Sequence, residues 1–252
     1  MKNLKAARIL CAVLVVALPC LAAQATSPGT VDIVHTGFGA YDEAGVAVWG
    51  GGQDGTTVYG GVYMLDKTAG TDQGNIWPNG LIGAFCIELN EWSPKSTLTY
   101  DVVMPDDAYN SFLGDAIGAE KADYLSELWD RYYDPAWASS GSLSAAQNSA
   151  AEAFAVAVWE IIYEDLPTLP TGWDVTVDGT ICSGGFRAEG ADTALANSWL
   201  HSLTGCGPKA DLRAFIYDGK QDYIVQVPEP ATIAMLGLGG VISLLSRKRR
   251  LR

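Results

Sequence analysis

The sequence predicts an α+β fold: a strand-rich N-terminal lobe, a helical insertion and a closing C-terminal β-hairpin, followed by a single C-terminal transmembrane helix. Three observations carry this. Between residues 31 and 104, short runs of β-branched and aromatic residues alternate with Gly, Asp and Asn clusters. Between residues 119 and 164, apolar residues recur every three or four positions. Beyond Leu212, two short apolar runs flank Asp218-Gly219-Lys220-Gln221.

The chain opens with a basic start (Lys2, Lys5, Arg8) and an uncharged apolar run from Ile9 to Leu18. Ala23-Gln24-Ala25 then offers small residues at the two positions a signal peptidase reads, so residues 1–25 are expected to be a secretory signal peptide cleaved after Ala25. Reading Cys20 as a lipoprotein cysteine is opposed by Pro19, which stands where a small residue is wanted.

Strands are expected over Val31–His35, Ala44–Trp49, Thr56–Leu65, Leu81–Leu89 and Thr97–Met104, with a bulge or bend at Gly60-Gly61. A helix is expected over Ala119–Tyr132, ending before Pro135. The next helix begins at a capping box, Ser144-Ala-Ala-Gln147, and runs to Glu164. Two adjacent apolar stripes, one through Phe154, Val158 and Ile161 and one through Ala151, Ala155, Trp159 and Ile162, require a wide buried face. A third helix spans Ala191–Leu203, and the hairpin pairs Leu212–Tyr217 with Asp222–Val227.

The tail combines Pro228-Glu229-Pro230, an uncharged stretch to Ser246 and the basic end Arg247-Lys248-Arg249-Arg250-Leu251-Arg252. Residues 231–246 would span roughly 24 Å as a helix, enough to cross a membrane if the flanking arginines snorkel, with the basic end cytoplasmic. This order resembles the PEP-CTERM sorting signal. The resemblance implies an exosortase as processing partner, membrane attachment through the C-terminal helix before processing, and export to the envelope, outer surface or extracellular matrix of a Gram-negative-type bacterium that makes extracellular polysaccharide. Residues 26–227 are then the ectodomain and 228–252 the sorting signal.

The two ends hold eight of the 16 basic residues. The segment 26–230 therefore carries eight basic residues against all 29 acidic ones, a net charge of −21. Such a charge repels nucleic acid and anionic lipid, which excludes both as partners of the folded part. No acidic run has calcium-loop spacing, and two histidines without clustered cysteines make no zinc site, so neither a metal nor a cofactor is expected. Cys86, Cys182 and Cys206 remain after signal removal. Cys182 and Cys206 both lie in glycine-rich turns. Bridging them would close a loop of about 25 residues and contribute on the order of 3 kcal/mol. Pairings with Cys86 stay open.

Two segments carry candidate chemistry. Phe85-Cys86-Ile87-Glu88-Leu89 ends a strand, and Phe154-Ala155-Val156-Ala157-Val158-Trp159-Glu160 lies within the long helix. Together they resemble the two halves of the thioester domain of bacterial surface proteins, whose related helix text in exported proteins reads Phe-Gln-x-Ala-aliphatic-Trp-Glu. The resemblance implies a bond between the Cys86 sulfur and a glutamine at position 155. That position is Ala155, which has no carboxamide, and Gln147 lies eight residues earlier, roughly 12 Å along the axis. The expectation is a thioester-domain-like fold with a degenerate thioester. The protein would be non-enzymatic and structural or adhesive, with extracellular polysaccharide as the partner that the family association suggests.

Other readings compete. Cys86 as an exported hydrolase or acyl-transfer nucleophile needs His35 or His201 beside it. As a buried strand cysteine it would be inert. Glu88 and Glu160 form an acid–base pair only if the fold joins them. Trp77, Trp92, Trp129, Trp137, Trp173 and Trp199 would make either a sugar-stacking patch or half-buried packing.

Overall fold

The computed structural model describes residues 28–139, 141–177 and 185–228. The expected signal peptide, Cys182, Glu229, Pro230 and the expected membrane helix lie outside these residues. Among the described residues, no helix is long and apolar enough to cross a membrane.

The strand-rich region and the C-terminal hairpin build one closed barrel. Its strands are β1 (Gly29–Tyr41), β4 (Gly61–Gly70), β5 (Gly80–Cys86), β11 (Lys220–Gln226), β10 (Leu212–Tyr217) and β6 (Leu98–Val103), neighbours in that order and antiparallel. The hairpin closes the barrel in the literal sense: β10 pairs with β6, and β11 pairs with β5 through Tyr223–Cys86 and Ile224–Phe85. Full closure removes the exposed sheet edges that a hairpin alone would leave.

A second sheet stands beside the barrel, formed by β3 (Gln53–Val58), β2 (Val46–Gly50) and β9 (Arg187–Glu189). The strand expected over Thr56–Leu65 is thereby divided. Its first part belongs to this sheet and its second to the barrel. The break falls at Tyr59-Gly60, and Gly61 has a φ of +139°. A Cβ on Gly61 would stand 2.3 Å from the Ala40 carbonyl, so only glycine lets the chain cross between sheets there. The remaining strands, β7 (Tyr109–Asn110) and β8 (Asp115–Ala116), form a short ladder.

Helix α1 (Ala119–Tyr132) matches its expected span, with Leu125, Leu128 and Trp129 buried. Helix α2 (Ala145–Tyr163) starts at the anticipated capping box: the Gln147 main-chain N–H donates to Ser144 Oγ at 3.3 Å, and Gln147 Oε1 accepts from the Ser144 N–H at 3.0 Å. From Ala151 onward every residue of α2 is buried. The helix lies in the centre of the molecule, against β1, β4, α1 and α3 (Thr193–Ser202). Phe85, Trp129 and Phe154 meet at ring separations of 4.8–5.4 Å and join barrel, α1 and α2 into one core.

Candidate functional site

Cys86 is the last residue of β5 and is 3 % exposed. Beyond it one more main-chain bond joins β11, from the Ile87 N–H to the Asp222 carbonyl at 3.1 Å, and the ladder ends. Side chains hold the carbonyls of this stretch one after another. Trp159 Nε1 donates to the Cys86 carbonyl at 3.0 Å, while Asn110 Nδ2 and the Tyr163 hydroxyl donate to the Ile87 carbonyl at 3.0 and 3.3 Å. The Leu89 carbonyl accepts from Gln53 Nε2 at 2.7 Å. Trp159 and Tyr163 are one turn apart on α2, so the helix presents them to successive carbonyls of the cysteine strand.

The carbonyl between these, that of Glu88, accepts from two groups: the Cys86 thiol at 3.4 Å and Gln221 Nε2 at 2.7 Å. Gln221 Nε2 also stands 2.6 Å from Cys86 Sγ. That is shorter than the ~2.9–3.0 Å typical of a hydrogen bond to oxygen, although sulfur is the larger acceptor. Gln221 is 5 % exposed. Its main-chain N–H donates to the Trp92 carbonyl at 3.3 Å and its carbonyl accepts from the Tyr100 hydroxyl at 3.2 Å. A thiol and a carboxamide are thus held in contact in a buried setting.

Ala155, the expected partner position, packs beside Gly60, and the carboxamide on Cys86 comes from β11. Gln147 stays with its helix cap. The hairpin explains why Gln221 is not a candidate from sequence. The run Asp218-Gly219-Lys220-Gln221 has the composition of a four-residue turn, whereas the turn is Asp218-Gly219 alone, with Gly219 at φ +76°, and β11 begins at Lys220. Asp-Gly is the strong two-residue hairpin signal, and taking it as the whole turn moves Gln221 into the strand.

Burial pushes the Cys86 thiol up to about 12, outweighing the hydrogen bonds that favour its ionised form. Neither histidine supplies a base. His201 Nε2 lies 2.7 Å from the Trp173 carbonyl, and His35 packs between Phe38 and Tyr63, where burial holds it below the usual histidine range. A neutral, histidine-free thiol does not fit the hydrolase reading. Glu88 and Glu160 serve different loops: Glu88 Oε1 accepts from the Ser111 N–H and hydroxyl, and Glu160 Oε1 from the Asp174 N–H. The tryptophans form no common patch. Trp77, Trp129, Trp137 and Trp173 are buried, and Trp92 is 85 % exposed. Cys206 is exposed after α3, and its expected bridge rests on Cys182, outside the described residues.

A cavity of about 490 Å³ opens against Glu88 and Asp222, without Cys86 or Gln221 in its lining. Glu88, Glu91, Asp101, Asp218 and Asp222 line it together with Tyr109 and Ser111, and no basic residue does. Glu88 and Asp222 are both buried, and burial together with the neighbouring Glu88 and Glu91 carboxylates raises Asp222 to about 9. No group of histidines, cysteines and carboxylates among the described residues could hold a metal ion.

Residues 226–250 match the PEP-CTERM protein-sorting motif. No curated protein and no solved structure matches the chain. The motif is a recognition signal for exosortase processing, and it marks the chain as exported and associated with the cell envelope.

Proposed function

We propose that this exported, exosortase-sorted protein is a covalent adhesin whose reactive group is an internal thioester between Cys86 and Gln221. The single observation that carries the reading is the approach of the Gln221 carboxamide to Cys86 Sγ at 2.6 Å within the core. The degenerate site expected from Ala155 becomes an intact one with its acyl donor on a different element.

The chemistry balances without a cofactor. Cys86 Sγ attacks Gln221 Cδ, the Cδ–Nε2 bond breaks, and the thiol proton leaves with the nitrogen as ammonia. Because the departing nitrogen takes that proton, the raised thiol pKa is no obstacle. Holding the two groups in contact supplies the high effective concentration that an uncatalysed acyl transfer requires, and the dry setting protects the product from hydrolysis. A partner's primary amine then attacks Cδ. An amide forms, and the amine's proton returns Cys86 to a free thiol.

The carboxylate-lined cavity favours an amine that arrives as a cation. Lysine side chains and amino sugars of an extracellular polysaccharide both answer to that description, and a structural or adhesive role in the matrix follows. The test is intact-mass measurement of the exported protein with and without methylamine. The expected protein lacks the mass of one ammonia, takes up methylamine at Gln221, and does neither as Cys86→Ala. A full-mass protein inert to methylamine would return the site to the degenerate reading.

A further inference from the structure

We infer that Tyr163 is a positioning residue for formation of this bond, acting through the backbone of residues 87–89; the inference rests on the thioester reading. The Glu88 carbonyl is the one acceptor shared by the Cys86 thiol and the Gln221 amide, so its direction decides how the two groups face each other. Tyr163 grips the chain on both sides of it. Its hydroxyl donates to the Ile87 carbonyl at 3.3 Å and accepts the Leu89 N–H at 3.0 Å, and Asn110 Nδ2 donates to the same hydroxyl at 3.2 Å.

This arrangement exceeds what packing alone demands. Tyr163 is 1 % exposed and ends α2, where a phenylalanine would fill the same space. The hydroxyl instead satisfies the Ile87 carbonyl and the Leu89 N–H, which lie beyond the last main-chain bond to β11, that of the Ile87 N–H to the Asp222 carbonyl at 3.1 Å. Asn110 fixes the hydroxyl in turn. Its Nδ2 reaches both the tyrosine and the Ile87 carbonyl, while its Oδ1 caps the turn at Phe112 and Leu113. Removing the hydroxyl leaves the Leu89 N–H without its partner and frees the Glu88 carbonyl to rotate away from the reacting pair.

The experiment follows the loss of ammonia in pulse-labelled, exported full-length protein by intact mass. Tyr163→Phe is compared with wild type and with Phe215→Leu, a core change on β10 titrated to the same melting temperature. Tyr163→Phe is expected to form the bond about tenfold more slowly, equivalent to roughly 1.4 kcal/mol in the barrier, while Phe215→Leu forms it at the wild-type rate. If Tyr163→Phe does not fold, Asn110→Ser keeps an oxygen to cap the turn, lacks the amide donor, and should slow formation in the same direction. Wild-type rates in the folded variant, or equal slowing in Phe215→Leu, would overturn the positioning role. A wild type that never loses ammonia would instead overturn the thioester reading itself.

Discussion

Helix α2 and strand β11 both reach Cys86, and they do so with different parts of the molecule. The helix grips the backbone: Trp159 and Tyr163 donate to the carbonyls of residues 86 and 87. The strand brings a side chain to the sulfur itself through Gln221. The contrast teaches that a template and a reactant can sit on separate elements, so alanine at 155 need not abolish chemistry that a strand can supply. Each element also buries an acid. Glu152 on α2 lies under Gly60, and Asp222 on β11 faces Glu88.

The largest test breaks the comparison outright. Gln221→Glu should abolish methylamine incorporation, whereas Ala155→Gln should leave incorporation at Gln221 and add none at 155. Peptide mapping after labelling distinguishes the two. The second variant should also lose about 1–3 kcal/mol of stability from overpacking. Trp159→Phe tests the template next. Losing the donor to a buried carbonyl, with a smaller ring in the core, should cost about 2–3 kcal/mol in a denaturant melt.

The buried acids sharpen the contrast through pH. Burial, with Asp42 adding to it, raises Glu152 to about 7, and its Oε1 has no hydrogen-bond partner. The folded state therefore keeps a proton that the unfolded chain releases near 4.5, and stability falls as pH rises from there through 7. Glu152→Gln should remove that slope and gain about 1–2 kcal/mol at pH 8, with solvent screening holding the gain below the full linkage value. Asp222 has the same sign over a window that extends to about 9. Asp222→Asn should flatten the melt against pH at the alkaline end, where Glu152→Gln has no further effect. The smallest effect belongs to Trp92→Ala. Gln221 uses the main-chain carbonyl of Trp92 and not its ring, so stability should move by less than about 0.5 kcal/mol and the methylamine rate should hold.

Much of this was legible locally. The boundaries of α1 and the capping box at Ser144 follow from periodicity and cap chemistry within a few residues of each site, whereas the strand expected over Leu81–Leu89 ends at Cys86, where side chains take over its carbonyls. Barrel closure was not legible locally, because the pairing of β11 with β5 joins residues more than 130 positions apart and no local pattern encodes it. The division of the strand at Gly60 hid for a related reason: both halves have strand composition, and only the Ala40 carbonyl packed against Gly61 shows why the chain changes sheets. The Cys86–Gln221 contact needed both steps, a short turn at Asp218-Gly219 and the non-local pairing that brings Gln221 to Cys86.

The place of Gln221 on the last strand has a mechanical consequence. On the proposed chemistry, an amine that opens the thioester leaves the partner hanging from Gln221 and Cys86 released. Pro228, within the sorting motif, lies seven residues further along the chain and two beyond the end of β11, a span of roughly 23 Å when extended. Tension between a captured partner and an anchor at the sorting motif would pass through that single stretch of covalent backbone. The rest of the barrel and helices α1, α2 and α3 would lie outside the load path. Pulling could strip β11 from its neighbours, yet it would pay out only those few residues, and the tether would hold whether or not the domain stayed folded.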